Sequence, residues 1–205
     1  MPKEGEVTRS KLLDAAQELI LECGFAGTSV DRLIEKAGVT KGTFFYHFDS
    51  KAALARALID RFAAVDLRML EESLRHGESI SKDPARQVLG LVDFFISKFA
   101  DLDRPYPGCL FASYIYEAKL FDAETLKVAS GFAFDWRKRV GAKMREAMKA
   151  HPPRRPVDPD ELADGLTVAF EGAMILSKLV HDPKSIAVHL RHYRRYLELI
   201  FGIDA

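Results

Sequence analysis

The sequence predicts an all-α protein with a small N-terminal domain and a larger C-terminal one. Apolar residues recur at steps of three and four along almost the whole chain, which is the spacing of one face of an α-helix. The alternation of apolar and polar residues that is typical of a β-strand is almost absent. Glycine and proline fall between the periodic segments, where helices end. The chain has 205 residues, 48% of them hydrophobic, which is enough for a proper core.

Two helices are predicted in the first part of the N-terminal domain. Residues 8–23 carry apolar side chains at helical spacing, and Gly24 follows as a stop signal. Thr28 or Ser29 can cap a second helix over residues 30–37, because a hydroxyl there accepts a hydrogen bond from a free backbone N–H. Each helix has one apolar face, so the pair can share a small core.

A third short helix is predicted after Gly38, which can supply the left-handed backbone conformation of a turn. Thr40 can cap this helix, which runs through Tyr46 or His47. Two short helices joined by a glycine-containing turn match a helix-turn-helix, whose second helix enters the major groove of DNA.

The third helix is crowded with aromatic residues. We interpret Phe44, Phe45 and Phe48 as core residues, since duplex DNA is read through polar edges. The remaining positions face outward and can contact phosphates or base edges. They are Thr40, Lys41, Gly42, Thr43, Tyr46 and His47.

The balance of charge indicates that DNA affinity must depend on local placement. The chain has 30 basic and 30 acidic residues, so its net charge neither supports nor excludes a nucleic-acid partner. Residues 1–55 hold seven basic and eight acidic residues. We therefore expect a dimer, which doubles the number of DNA contacts.

The stretch GFAGTSVDRLIEKAGVTKGTFFYHFDSKAAL resembles the DNA-binding signature of the TetR family of bacterial transcriptional regulators. The resemblance runs from about Arg9 to Leu54, and one departure is Ile34, where the family usually has a small residue. We expect a slight shift in helix packing at Ile34 and retention of the fold.

The resemblance implies which residues contact DNA. Tyr46, His47 and Lys51 would hold the phosphate backbone, and Lys51 also begins the next helix, where free N–H groups favour a phosphate. Thr40, Lys41 and Gly42 would approach bases in the major groove. The full set of predicted DNA-contact residues is Thr28, Thr40, Lys41, Gly42, Thr43, Tyr46, His47 and Lys51.

The second domain is predicted to contain the remaining helices. Helical periodicity continues from residue 51 to Gly77, and Pro- or Gly-containing breaks follow. We divide the chain into a DNA-binding domain, residues 1–54, and an effector-binding and dimerisation domain, residues 55–205. The later helices are predicted at about 84–101, 109–120, 123–149, 160–180 and 184–201.

The last two predicted helices carry narrow apolar seams and small residues, a pattern typical of helix–helix packing. They could meet a second copy as a four-helix bundle, or they could pack only within one chain. Members of the family are dimers, which favours the first interpretation. The predicted dimer interface is Leu166, Ala169, Ala173, Leu190, Tyr193, Leu197 and Ile200.

The middle helices are rich in aromatic residues, which could form an ordinary core or line an apolar ligand pocket. The resemblance favours a pocket, because the family's C-terminal domain usually binds a small effector that releases DNA. Cys109 could be a reactive thiol beside this pocket or a small buried hydrophobe. The predicted pocket residues are Phe95, Phe99, Tyr106, Cys109, Phe111, Tyr114, Trp136 and Phe170.

Other function classes find little support. His189 and His192 lack a third ligand, and no phosphate loop, nucleophile elbow or dinucleotide fingerprint is present, so we predict no catalytic residue, metal or cofactor. The chain has no signal peptide and no apolar run of the ~18 residues that a membrane span needs, so we expect a cytoplasmic protein without a membrane partner. We predict a homodimeric, ligand-responsive repressor of a palindromic operator, released by a small hydrophobic or electrophilic effector. The alternatives are a ligandless architectural DNA-binding protein and a helical binding protein that retains the helix-turn-helix as a scaffold.

Overall fold

The computed structural model describes residues 4–203, and every regular element in this range is a helix. The all-α prediction is therefore confirmed. A short 3₁₀ turn, Ala118–Leu120, follows the sixth helix. The α-helices of the described range are α1 (Glu4–Cys23), α2 (Val30–Ala37), α3 (Lys41–His47), α4 (Lys51–Ile80), α5 (Pro84–Ala100), α6 (Leu110–Tyr116), α7 (Ala123–Ala150), α8 (Pro159–Leu179) and α9 (Ser185–Phe201).

Helices α2 and α3 begin where the sequence predicts, because each has a side-chain cap. Ser29 accepts a hydrogen bond from the N–H of Arg32 at 3.2 Å, and Thr40 accepts one from the N–H of Thr43 at 3.1 Å. Between the two helices, Gly38 has a φ of 64°, the left-handed conformation that glycine adopts without strain.

Two other boundaries differ from the prediction. Helix α1 begins at Glu4 rather than Thr8, since residues 4–7 contain a single apolar side chain and add little to the apolar pattern. The helix predicted at 109–120 ends at Tyr116, because Glu117 leaves the helical conformation with φ −107° and ψ 29°. The spacing of apolar residues does not reveal a single non-helical residue such as Glu117.

The chain forms two compact units whose limits differ from the predicted domains. The first unit comprises the residues up to Val65 together with Cys109–Gly131, and the second comprises Asp66–Gly108 and the residues from Phe132 onward. The predicted boundary after residue 54 thus cuts through the first unit. The beginning of α4 belongs there because its apolar face, including Leu54 and Leu58, is fully buried.

The core of the first unit joins α1, α2, α3 and the start of α4. Leu12, Ile20, Leu33 and Phe44 are all fully or almost fully buried in it. Ile34, where the sequence departs from the family pattern, is half-buried. This core fixes which side of α3 remains outside.

The core of the second unit is built from the end of α4 together with α5, the end of α7, α8 and α9. Helices α4 and α5 approach closely at Gly77, where a side chain would meet the backbone carbonyl oxygen of Gln87. Helices α8 and α9 pack along their buried faces, and the Tyr193 hydroxyl donates a hydrogen bond to the Leu162 carbonyl.

Candidate DNA-binding, dimer and effector sites

Helix α3 presents a polar and aromatic surface to solvent. Tyr46 is 82% exposed, and Thr40, Lys41 and Gly42 are exposed beside it. Thr43 is half-buried, and its hydroxyl lies 2.8 Å from that of Thr40. With His47, the last residue of α3, six of the predicted DNA-contact residues therefore lie together on one short helix and its cap.

The aromatic residues of α3 divide differently from the prediction. Phe44 and Phe48 are buried, as expected, but Phe45 is 46% exposed. Its ring meets that of Phe44 edge to face at 5.2 Å, so Phe45 covers the core from outside. The interpretation of Phe45 as a core residue is wrong, because adjacent helical residues point about 100° apart and Phe45 is turned away from the side on which Phe44 is buried.

Thr28 is not available to DNA. It is 1% exposed, and its hydroxyl donates a hydrogen bond to the carbonyl of Gly24 at 2.8 Å. Ser29, rather than Thr28, caps α2. The prediction for Thr28 is corrected on this ground: its hydroxyl holds the turn between α1 and α2.

The Lys51 side chain is also bound within the chain. Its ammonium donates hydrogen bonds to the carbonyls of Phe25 and Thr28, both at 2.9 Å, and lies 3.9 Å from the centre of the Phe25 ring. Partial burial lowers the pKa of Lys51, and the nearby Glu117 carboxylate opposes that shift. Lys51 therefore anchors the turn, which corrects its prediction as a freely placed phosphate ligand.

Near the end of α3, the first helix contributes a cation that the sequence interpretation missed. His47 is half-buried, with its ring 5.0 Å from that of Tyr46. The exposed guanidinium of Arg9 lies over the Phe48 ring at 5.0 Å. Arg9 gave no signal in the sequence, because its place beside α3 depends on how α1 packs.

The leucines of the predicted dimer seam pack inside their own chain, whereas Ala169, Ala173 and Tyr193 also line an open groove between α8 and α9. Leu166, Leu190 and Leu197 are fully buried in the core of the second unit, so they cannot also contact a partner. This contradicts their assignment to a dimer interface. Ala173 and Tyr193 are buried in the same core, and Ala169 and Ile200 are half-buried against it.

A different face of α8 and α9 is exposed and apolar. On α8, Val168, Ile175 and Leu179 are exposed at helical spacing, and on α9 Leu199 is 80% exposed beside Tyr196. An open groove of about 470 Å³ lies between the two helices. It is lined by Val168, Ala169, Gly172, Ala173, Leu176, His189, His192, Tyr193 and Tyr196.

The predicted pocket residues fall in both units, and those of the second unit form one aromatic cluster. The Phe95 ring contacts those of Trp136 and Phe170 at 5.3 and 5.0 Å, and Phe99 contacts Tyr106 at 5.4 Å. The Trp136 indole N–H donates a hydrogen bond to Asp66 at 2.9 Å.

Asp66 is a half-buried acid that the sequence interpretation did not select. Burial raises its pKa to about 6, the hydrogen bond from Trp136 opposes this, and the carboxylates of Asp135 and Glu171 add to it. A titratable group at the edge of an aromatic cluster is typical of ligand sites. Its position in a plain helical stretch gave no signal of this.

The other three predicted pocket residues belong to the first unit. Phe111 is buried and contacts Phe62 edge to face at 4.9 Å. Tyr114 is fully buried and donates a hydrogen bond to the carbonyl of Ala55 at 2.8 Å. These two side chains pack within the first unit, and their assignment to a pocket stays a prediction. Cys109 is half-buried at the start of α6.

Residues 4–203 contain neither a candidate metal site nor a candidate membrane span. No group of three His, Cys, Asp or Glu side chains in this range could hold a metal ion. No helix in the described part of the chain is long and apolar enough to cross a membrane. The rings of His189 and His192 lie 6.0 Å apart on α9.

Known proteins resemble both parts of the chain. The transcriptional regulator AcuR of Cereibacter sphaeroides is 23% identical over 193 residues, covering 94% of this chain and 86% of AcuR. The transcriptional repressor DhaR of a Mycobacterium species is 28% identical over 172 residues, covering 83% of this chain and 82% of DhaR. The crystal structure of regulatory protein TetR from Rhodobacter sphaeroides superposes with a TM-score of 0.75 at 24% identity, covering 93% of this chain and 98% of that protein.

Two family profiles match the sequence directly. Residues 12–58 match bacterial regulatory proteins of the tetR family, and residues 84–193 match the tetracyclin repressor-like C-terminal domain. The first match contains the whole helix-turn-helix, and the second runs from the start of α5 to about the middle of α9. The chain therefore belongs to the TetR family of bacterial regulatory proteins, which are DNA-binding transcriptional regulators.

Proposed function

We propose that the protein is a homodimeric repressor that binds a near-palindromic operator through α3 and leaves it when a small effector binds. The observation that carries this proposal is the surface of α3, where Thr40, Lys41, Gly42 and Tyr46 lie exposed over a buried Phe44. A short helix held from behind by a large ring, with donors on its outer side, suits the major groove.

The DNA contacts divide by chemistry. Lys41 and Thr40 can donate to base edges, and the exposed backbone at Gly42 lets α3 approach them closely. Tyr46, His47 and the guanidinium of Arg9 suit phosphates, which fix the orientation of the helix. Since Lys51 is committed to the turn, each subunit has few free cations, and affinity depends on two subunits acting together.

A second copy of the chain is the proposed occupant of the exposed apolar face of α8 and α9. Members of the family act as dimers. The exposed residues Val168, Ile175 and Leu179 follow one another at steps of seven and four, which is the spacing of a helix–helix seam. Gly172 in the groove allows a partner helix to approach closely. The dimer therefore uses the faces of α8 and α9 that the chain's own core leaves open.

The effector is proposed to be a small apolar or electrophilic molecule. The aromatic cluster around Trp136 in the second unit supports an apolar ligand, and the Asp66 carboxylate could orient a donor group on it. The electrophilic alternative depends on Cys109, which is half-buried. Repression, rather than activation, follows DhaR, which is named as a repressor.

The proposed function is one of binding, with no chemical reaction and no cofactor. Because operator DNA of a bacterium lies in its cytoplasm, we place the protein there. The architectural alternative differs from the proposal in having no effector, and the scaffold alternative differs in having no operator.

The proposal can be tested by selecting duplexes from a randomised pool with the full-length protein. The selected sequences should converge on two inverted half-sites whose centres lie about 34–36 Å, or a multiple of this, apart on the duplex. A library of apolar and electrophilic compounds is then screened for release of the selected duplex. Absence of any preferred sequence would reject the repressor, and tight sequence-specific binding that no compound reverses would favour an architectural protein.

A further inference from the structure

The turn between α1 and α2 is held by a carboxylate from a distant part of the first unit. Glu117 directly follows α6, and its two carboxylate oxygens accept hydrogen bonds from consecutive backbone N–H groups. The N–H of Phe25 donates at 2.6 Å and that of Ala26 at 2.8 Å. Hydrogen bonds to an ionised acceptor are about twice as strong as neutral ones, so this pair is a firm attachment.

The same turn is held from its other side by Lys51. While Glu117 takes two N–H groups of the turn, the Lys51 ammonium takes the carbonyls of Phe25 and Thr28. Residues 25–28 are therefore clamped between a carboxylate and an ammonium. Gly24 makes room for the clamp: its φ is +75°, and a Cβ there would lie 2.5 Å from a Glu117 oxygen.

Glu117 is itself firmly supported. The Phe121 ring, just beyond it, contacts Phe25 at 4.6 Å and stacks on Tyr114 at 4.3 Å. The Tyr114 hydroxyl donates to the carbonyl of Ala55 on α4. These contacts join the segment after α6 to both the turn and α4, and they hold the Glu117 carboxylate in place.

The position of this turn determines how the helix-turn-helix is presented. Ser29 directly follows the turn and caps α2, and Gly38 lies between α2 and α3. We infer that Glu117 is a positioning residue for DNA binding, which holds α2 and α3 in the arrangement that fits the operator without touching DNA. This inference rests on the proposed function and adds a residue outside the helix-turn-helix to the binding machinery.

The test compares three variants on the duplex selected by the wild-type protein. Glu117→Ala removes both acceptors, while Glu117→Gln keeps the length of the side chain and one acceptor. Glu124→Ala is the matched control, because Glu124 is an exposed carboxylate of the same unit that pairs only loosely with Arg56, at 3.4 Å. Dissociation constants are measured on the active fraction, which titration at high protein concentration determines.

We expect Glu117→Ala to weaken binding by about tenfold or more, the cost of one charge-assisted contact. Glu117→Gln should recover part of the loss, and Glu124→Ala should bind like the wild type. The preferred sequence and the salt dependence of Glu117→Ala should not change, because no base or phosphate contact is removed. Hydrogen exchange in a peptide containing residues 24–28 should become faster in both Glu117 variants.

Three results would overturn the inference. The first is that the active fraction of Glu117→Ala binds the duplex with the same dissociation constant as the wild type. If the alanine variant fails to fold, the same result for Glu117→Gln has this meaning. The second is an equal loss in Glu124→Ala, and the third is unchanged exchange at residues 24–28. A wild-type protein that selects no duplex at all would instead reject the proposed function, so the two failures are distinguishable.

Discussion

Single residues show how neighbouring side chains of one type can have opposite roles. Phe44 and Phe45 are adjacent on α3, yet the first is fully buried and the second is 46% exposed. Phe44→Ala should therefore lower the free energy of unfolding by ~3–5 kcal/mol. Phe45→Ala should cost less stability, roughly 1 kcal/mol for the lost edge-to-face contact with Phe44. It should also weaken operator binding by roughly 1 kcal/mol per subunit, since an exposed ring can cover thymine methyl groups. Chemical denaturation and duplex titration of both variants measure these effects, and equal destabilisation would show that Phe45 belongs to the core.

Two lysines of the helix-turn-helix segment should behave in opposite ways. Lys51→Ala removes two hydrogen bonds to the turn, and we expect a loss of ~1–3 kcal/mol in unfolding free energy with little change in the salt dependence of DNA binding. Lys41 is exposed, so Lys41→Ala should spare stability and change the preferred operator sequence. The measurements are thermal unfolding and duplex selection. A lower salt slope in Lys51→Ala, at unchanged stability, would restore Lys51 to the phosphate contacts.

Asp66 should make stability depend on pH. Its pKa in the folded protein, about 6, lies above the ordinary value of 3.8, so the folded state favours the protonated form. The stability that protonated Asp66 adds to the folded state is therefore complete below pH 3.8 and is lost as the pH rises through 6. Asp66→Asn does not titrate at this position. Its free energy of unfolding should therefore exceed that of the wild type by an amount that grows from pH 3.8 to pH 6 and reaches about 3 kcal/mol above pH 6. Unfolding at several pH values tests this, and a pH-independent difference between the two proteins would contradict it.

Helices α8 and α9 each have two apolar faces with different uses. Leu197 is fully buried in the chain's own core, whereas Leu199 is 80% exposed on the proposed dimer face. Leu199→Asp should yield a folded monomer, because it places a charge in the partner contact alone. Leu197→Asp should unfold the second unit, since it buries an unpaired charge. Sedimentation and circular dichroism distinguish these outcomes, and a stable Leu199→Asp dimer would move the interface to another surface.

At the scale of the whole molecule, DNA affinity should depend on two subunits. Each phosphate that is neutralised contributes about −0.9 to the slope of log affinity against log salt concentration. The wild-type dimer on a full operator should therefore show about twice the slope of monomeric Leu199→Asp on a half-site. Titrations at several salt concentrations measure both slopes. Equal slopes would mean that one subunit makes all the phosphate contacts.

Several features of this protein are determined by the sequence alone. Helix periodicity, a hydroxyl cap at Thr28 or Ser29, a second cap at Thr40, and glycine at position 38 define the helix-turn-helix. These signals are local, because a cap or a turn depends on residues a few positions apart. The same local pattern carries the resemblance to the TetR family, which the family matches confirm.

Only the tertiary structure decided which side chains are free to act. Thr28 and Lys51 match the family signature, but their hydrogen bonds hold the turn instead of facing DNA. The Glu117 carboxylate and the Phe25 N–H that it binds are 92 residues apart, so no local pattern could connect them. Both apolar faces of α9 have helical spacing, and burial alone shows that Leu197 faces the core while Leu199 does not. The type of each helix depends on neighbours in sequence, whereas the availability of a side chain depends on partners that folding brings from far along the chain.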